Sequence, residues 1–230
     1  MQHLKDQNWF AVGLDVIVVI VGIFLGMQVT EWNEERNSRL QERIYLESII
    51  NDLQQTIPEL ERRIKFLKTY SEGTEEAYRM LYFGELTEDT RPKFLSHYFA
   101  LYRFTGFQIN ISTLLELQSG GKLDLIKSPE LRKSFTAFLS EVDSTQYYYR
   151  ERLSLLHSNL YQKISQMVFR TYDNNDLLNS NDELNNSKLI ASILRDISWA
   201  QNRGAEEQNE MLSQVHQLNE EIKTYLNSFK

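Results

Sequence analysis

The sequence predicts an all-α fold in which an N-terminal transmembrane helix continues into an elongated helical bundle. A 20-residue apolar run, Phe10 to Val29, has the length needed to cross the hydrocarbon core of a bilayer. Beyond it, apolar residues recur at intervals of three and four, the spacing of an amphipathic helix. The 230 residues contain only three prolines and nine glycines, so long helices need not be interrupted.

Composition narrows the classes of function. The net charge of −7 disfavours nucleic acid as a partner, because phosphate binding needs a basic surface. The absence of cysteine excludes disulfides and thiolate metal sites. The apolar fraction of 41% is ordinary for a folded protein. We therefore expect a folded domain that binds neither nucleic acid nor a cofactor.

Two tryptophans flank the apolar run and predict its interfacial anchors. Trp9 and Trp32 are 23 residues apart, which is roughly 34 Å of helix, and indole rings settle at membrane interfaces. A polar helix-forming stretch follows directly and no small-residue cleavage site is present, so a retained anchor is favoured over a signal peptide. The predicted organisation is a tail over 1–8, a transmembrane helix over 9–31 and a bundle over 32–230.

Three residues predict a helix interface inside the membrane. Gly22 and Gly26 each lie within roughly 20° of Asp15 around the helix at about 100° per residue. Glycines four apart let two helices approach closely, and a carboxylate in lipid costs at least about 2.5 kcal/mol. The stripe therefore predicts self-association, with Asp15 turned to the partner helix. The alternative is that Asp15 is simply hydrated or protonated near the interface.

A second apolar pattern, here called the helical seam, follows the span. Its spacing of four and three residues is that of a heptad repeat. It consists of Leu46, Ile50, Leu53, Ile57, Leu60, Ile64 and Leu67. Packing against other helices of the same chain is favoured over a dimeric coiled coil, because only about three heptads are apolar. Extending the register backwards predicts that the seam is in phase with Asp15 and Gly22, and Pro58 predicts a kink or restart.

The remaining chain predicts further helices and no catalytic motif. Long helices are expected at about 32–70, 129–172 and 187–229, and short ones at about 74–83, 92–104 and 113–118. The Gly120-Gly121-Lys122 sequence lacks the full phosphate-binding pattern and is interpreted as a turn. The four histidines are not spaced as metal ligands; they are His3, His97, His157 and His216. No nucleophile motif or dinucleotide-binding motif is present. These patterns predict a protein that is not an enzyme, with no metal site.

The opening of the chain resembles that of an uncharacterised bacterial family of single-pass membrane proteins, a domain of unknown function. Asp15 lies near the start of a span that is rich in Val, Ile and Gly. The span ends at Gln28 and is followed by Trp32-Asn33-Glu34. The segment Leu114 to Leu131, with Ser119-Gly120 before a Pro-Glu-Leu-Arg helix start, is also similar. The family implies no activity. It implies a bacterial inner-membrane location with the C-terminal domain in the periplasm.

The charges near the span favour the opposite topology by a small margin. Lys5 precedes the span, whereas Arg36, Arg39 and Arg43 follow it, and the excess of Lys and Arg marks the cytoplasmic side. The arginines alternate with glutamates, and the periplasmic placement implied by the resemblance is narrowly favoured.

Two functions remain in competition at the level of the sequence. The first is a membrane-anchored interaction or sensor-like module whose partners are the lipid bilayer and either a second copy or another membrane protein. The second is a subunit of an oligomeric pore or proton-coupled complex that uses Asp15, since an acidic residue early in a single span is typical of proton-driven stator subunits. Substitution Asp15→Asn distinguishes a proton carrier from a structural residue.

Overall fold

A computed structural model describes residues 9–100, 106–155, 184 and 188–229, with side chains described from residue 13 onwards and not at 98–100. Every regular element in these ranges is helical and none is a strand. The predicted all-α class is therefore confirmed.

Helix α1, Trp9–Tyr82, is a single helix of 74 residues, about 110 Å long at roughly 1.5 Å per residue. It continues through Pro58 without a break, so the predicted restart does not occur. Pro58 is exposed, which leaves its ring in solvent while the opposite side of the helix packs on the core. The separate helix expected at 74–83 is likewise part of α1.

Gly73 lies inside α1 because another helix approaches it closely. A Cβ atom at this position would lie 2.6 Å from Nδ1 of His97. The glycine therefore makes room for the next helix and does not end α1.

Within the described ranges four shorter helices follow, and their bounds are α2 Arg91–Ala100, α3 Ser112–Ser119, α4 Pro129–Leu155 and α5 Lys188–Asn227. A 3-10 turn, Leu123–Leu125, separates α3 from α4. The predicted extensions over 101–104 and 156–172 lie outside the described residues. Gly121 has a φ of +64°, a left-handed conformation that glycine adopts without strain, which fits the predicted turn at 119–122.

The core forms where α1 and α5 run antiparallel. Glu42 contacts Tyr225 at one end of the pair, and Ser71 contacts Ser198 near the other. The larger core cluster joins α1, α3, α4 and α5, and a smaller one joins α1, α2 and α5. Burying such apolar faces is the main stabilising term in a helical bundle.

Polar side chains of α1 position the connection that precedes α3. Arg63 Nη1 donates hydrogen bonds to the carbonyls of Gly106 at 2.7 Å and Gln108 at 2.9 Å. Nearer the N-terminus of α1, Asp52 Oδ2 accepts a hydrogen bond of 2.9 Å from the amide of Thr113. This contact satisfies one of the free amides at the start of α3. The other elements of the bundle thus pack along α1.

Candidate functional site: the exposed half of α1 and its junction with the bundle

The N-terminal part of α1 is apolar and lies outside the bundle. Residues 13–37 are all exposed, including large apolar side chains such as Leu14 at 52% and Val29 at 63%. Among the described residues, this is the one helix long and apolar enough to cross a membrane. Water is a poor solvent for such a surface, so this part of the chain is a candidate membrane-spanning segment.

The three predicted interface residues all lie on this exposed surface. Asp15, Gly22 and Gly26 are exposed, and a Cβ atom at either glycine would meet nothing within 4 Å. Gly204 of α5 is different, because a Cβ there would lie 3.2 Å from Cε2 of Tyr149. The chain's own packing therefore leaves little room for a side chain at 204 and sets no such limit at 22 or 26.

The predicted interfacial anchors lie on one continuous helix. Trp32 is 66% exposed, so its ring is free to contact an interface. Trp9 is the first residue of α1, and its side chain lies outside the described residues. The helical rise between the two is roughly 34 Å.

The helical seam lies in the core of the bundle. Five of its residues are buried, namely Leu46, Leu53, Leu60, Ile64 and Leu67. Leu46, Leu53 and Leu60 belong to the larger core cluster, and the partly buried Ile50 and Ile57 pack against it. Their partners come from α3, α4 and α5 of the same chain, which is the packing that the sequence favoured.

The predicted phase between seam and membrane stripe is wrong. A heptad register drifts by about 20° per seven residues relative to a straight α-helix. Four heptads separate Gly22 from Ile50, so the two residues differ by roughly 80° around α1. The seam faces the bundle, whereas the stripe of Asp15, Gly22 and Gly26 faces away from it.

Glu42 fastens α1 to two other elements where the exposed half meets the bundle. It is fully buried. Its Oε1 accepts hydrogen bonds of 2.6 Å from the amide of Lys127 and 2.9 Å from the hydroxyl of Tyr225. Its Oε2 has no hydrogen-bond partner, and Arg39 Nη1 lies 3.8 Å away. One carboxylate thus joins α1 to the start of α4 and the end of α5.

Aromatic residues at the end of α5 complete this junction. The guanidinium groups of Arg39 and Arg43 lie 5.7 Å and 5.9 Å from the ring centre of Phe229, within cation–π range. Burial raises the pKa of the Tyr225 hydroxyl, and its hydrogen bond to Glu42 raises that pKa further. A protonated Tyr225 is therefore part of the folded junction at neutral pH.

A layer of polar residues interrupts the apolar contact between α1 and α5. Thr74 donates a 3.0 Å hydrogen bond to Gln201 Oε1, and the Ser71 and Ser198 hydroxyls are 3.3 Å apart. Both amide atoms of the fully buried Gln208 lack a partner, which costs about 1–3 kcal/mol. Polar groups at a seam specify the register of the helices that meet there.

Titratable groups outside the junction serve the packing of helices. His97 Nε2 lies 3.0 Å from Glu76 Oε2 and joins α2 to α1. A hydrogen bond from Lys93 lowers the pKa of Glu76, so this carboxylate is charged at neutral pH. No cluster of three or more potential metal ligands occurs in the described part of the chain.

A groove between α4 and α5 has a volume of about 730 Å³. Glu130, Glu220 and Glu221 line it together with Tyr225. Hydrogen bonds from its own backbone amide and from Ser128 lower the pKa of Glu130, and Lys223 lowers that of Glu220. Ionised carboxylates cannot donate protons as general acids at neutral pH.

Sequence reasoning missed the polar residues that build the junction and the bundle. Glu42 precedes Leu46 by four residues, so it continues the buried face, and this spacing was a usable signal. The ion pair between Arg152 and Glu207, with atoms 2.6 Å apart, joins α4 to α5 and has no signature in the sequence, because its partners meet only in the fold. Comparison of the chain with protein-family models, curated proteins and solved structures finds no match.

Proposed function

We propose that this protein is a membrane-anchored helical interaction module, without enzymatic activity, that self-associates through its transmembrane helix. The observation that carries the proposal is the exposed stripe of Asp15, Gly22 and Gly26, whose glycines have no packing role within the chain. Glycine costs about 1 kcal/mol relative to alanine in a helix interior. A close contact with another helix in the bilayer offsets that cost.

The continuity of α1 supports a role in transmitting position between the membrane and the bundle. The same helix carries the candidate span and the buried seam, with no described break from Trp9 to Tyr82. Glu42 then links α1 to Lys127 and Tyr225 just beyond the exposed part. A change in how the membrane helices pair would therefore reach the bundle through a rigid element.

The first test compares association of the full-length protein with that of two matched variants. The Gly22→Leu/Gly26→Leu variant is expected to lose the oligomer, since leucine side chains hold the helices apart. Gly13→Leu is the control, because Gly13 is also exposed with nothing within 4 Å and lies roughly 160° from the stripe. Light scattering in detergent and energy transfer in lipid vesicles give the mass and the association. A wild-type monomer at every protein-to-lipid ratio would contradict self-association.

A second candidate function is a subunit of a pore or proton-coupled complex that uses Asp15. The observation that favours it is that Asp15 shares its face with both glycines, so association would bring carboxylates together. Asp15→Asn keeps the shape and removes the charge. Loss of proton flux in vesicles with the oligomer intact would support this function, and unchanged association without any flux in the wild type would leave only the first.

We further propose a bacterial inner-membrane location with the bundle in the periplasm. The chain has no cysteine, so a single cysteine reports topology without background. Ser213→Cys on α5 and Gln2→Cys before the span are labelled in intact cells with a membrane-impermeant maleimide. Labelling at 213 and none at 2 is the expected result, and the reverse pattern would place the bundle in the cytoplasm, as the arginine count suggests.

A further inference from the structure

Just beyond the candidate span, α1 keeps two large apolar side chains in contact with solvent. Leu40 is 58% exposed and Ile44 is 54% exposed, although Glu42 between them is fully buried. Residues two apart lie about 200° from each other around a helix. Leu40 and Ile44 therefore face away from Glu42, and more than half of each side chain remains in contact with solvent. Ile44 also borders an open groove beside Lys122 and Leu125 of the bundle.

These two residues continue the membrane stripe. Leu40 follows Gly22 by 18 residues, and Ile44 follows Gly26 by the same number. Because 18 residues make about five full turns, the four positions share one face of α1 within roughly 40°. The glycines and the apolar pair are thus two parts of one continuous surface, which we call the outer face.

Charged side chains avoid the outer face in the stretch between membrane and bundle. Seven charged residues lie between positions 31 and 43, and they are Glu31, Glu34, Glu35, Arg36, Arg39, Glu42 and Arg43. At about 100° per residue, each lies at least about 60° from the centre of the stripe. Asn33 and Asn37 occupy the face instead. An uncharged strip of this kind permits close approach of a second helix without burying an unpaired charge.

We infer that two copies of this chain pair in parallel along the outer face from Gly22 to Ile44, so that the dimer interface continues out of the membrane. The inference rests on the proposed self-association in the span. A second copy fits because copies inserted in the same direction present the same surface at the same height. Glycine then meets glycine inside the bilayer, and Leu40 and Ile44 meet their counterparts outside it, burying apolar surface that is now in water.

The period of the outer face sets the geometry of the pair. A stripe that repeats after 18 residues runs straight along an α-helix, whereas a heptad stripe requires a left-handed supercoil. The distance from Gly22 to Ile44 is about 33 Å at 1.5 Å per residue. The helices stay in contact over this length only if they run nearly parallel, and not at the roughly −40° crossing of many glycine-mediated dimers.

Single-cysteine cross-linking of the full-length chain in lipid vesicles tests this arrangement. Leu40→Cys and Ile44→Cys report the outer face beyond the membrane, and Glu35→Cys is the matched control, because Glu35 is exposed but lies roughly 160° away. Val29→Cys and Phe24→Cys make the corresponding pair inside the span, at 63% and 59% exposure. Disulfide-linked dimers are quantified after mild oxidation on a non-reducing gel.

We expect dimer yields at positions 40, 44 and 29 to exceed those of their controls several-fold. Dimers at 29 without an excess at 40 and 44 would overturn the inference and leave self-association in the span intact. Equal yields on all faces, or none anywhere, would overturn both. Cross-linking of position 40 to a different protein in native membranes would also overturn it, since the occupant would not be a second copy.

A charge substitution provides an independent measurement. Leu40→Glu/Ile44→Glu places like charges in the inferred interface at two exposed positions, and it is expected to weaken dimerisation at least roughly tenfold. Glu35→Lys is the control for a change of charge at the same level of the helix. An unchanged dimerisation constant in the double variant would contradict an interface beyond the membrane.

Discussion

Both halves of α1 are helical, but the first half is exposed and the second half is covered by the bundle on one side. Residues 13–37 are exposed on every side, whereas from residue 42 to 81 a buried side chain recurs every three or four positions. In the second half, the chain's own contacts explain unusual residues, such as Gly73 beside His97. In the first half they explain nothing about Gly22 or Gly26. Glycine is unfavourable inside a helix, so two glycines that the internal packing does not require motivate the proposed contact with another helix.

The largest contrast is expected from truncating leucines of the two halves. Leu53 is fully buried, whereas Leu40 is 58% exposed. Leu53→Ala should lower the free energy of unfolding of the bundle by about 2–5 kcal/mol, because it leaves a cavity. Leu40→Ala should change it by no more than about 0.5 kcal/mol. Urea unfolding in detergent, followed by circular dichroism, measures both, and equal effects would erase the distinction between the halves.

Replacing a glycine by leucine should have different effects in the bundle and in the exposed half of α1. Gly204→Leu should destabilise the bundle by about 1–3 kcal/mol or more, because its side chain would overlap Tyr149 and Leu67 in the core. Gly22→Leu should leave bundle unfolding unchanged and weaken association alone. Measuring unfolding and oligomer mass on both variants separates the roles. A stable Gly204→Leu bundle would show that the contact of α5 with Tyr149 is looser than the structure has it.

Glu42 marks the boundary between the halves, and its loss should have an intermediate effect. Glu42→Ala removes the acceptor for the Lys127 amide and the Tyr225 hydroxyl, which should cost about 2 kcal/mol. Glu42→Gln keeps one oxygen and should cost less. Hydrogen exchange at 222–229 should accelerate in the alanine variant before exchange elsewhere does. Uniform acceleration would mean that Glu42 stabilises the bundle generally and does not fasten the end of α5.

The smallest expected effect is a change in how stability depends on alkaline pH, and it arises from Tyr225 at the same boundary. The pKa of Tyr225 is raised above the ordinary 10.0 by burial and by Glu42. A raised pKa means that the folded state holds the proton more tightly, so this contribution to stability is complete below pH 10 and is lost as pH rises above it. Tyr225→Phe should show a shallower alkaline loss of stability than the wild type. Superimposable alkaline profiles of the two proteins would contradict the raised pKa.

Several elements of the fold were predictable because their signals are local. The apolar run, the seam and the Pro-Glu-Leu-Arg helix start at Pro129 each lie within one stretch of sequence, and helices are predictable from such local patterns. Helix breaks were predicted poorly. Pro58 lies inside α1 because the seam packs firmly on one side while the proline ring stays exposed on the other, and that depends on partners far along the chain.

The candidate site divides in the same way. Asp15, Gly22 and Gly26 were identifiable because a stripe on one helix needs only the helical period. Glu42 and its partners were not, since Lys127 and Tyr225 are 85 and 183 residues away in sequence. The role of Leu40 and Ile44 also needed the structure, because the heptad register of the sequence placed the glycine stripe in phase with the seam, and only the burial pattern shows that these two residues remain exposed.

The sequence by itself determined that this chain is helical and that one segment is apolar enough to enter a bilayer, because both properties depend on neighbours within a few turns. Only the tertiary structure decided which face of α1 the bundle covers. That choice depends on α4 and α5 burying the side of Glu42 and Leu46, and burial on one side is what leaves Leu40 and Ile44 free on the other.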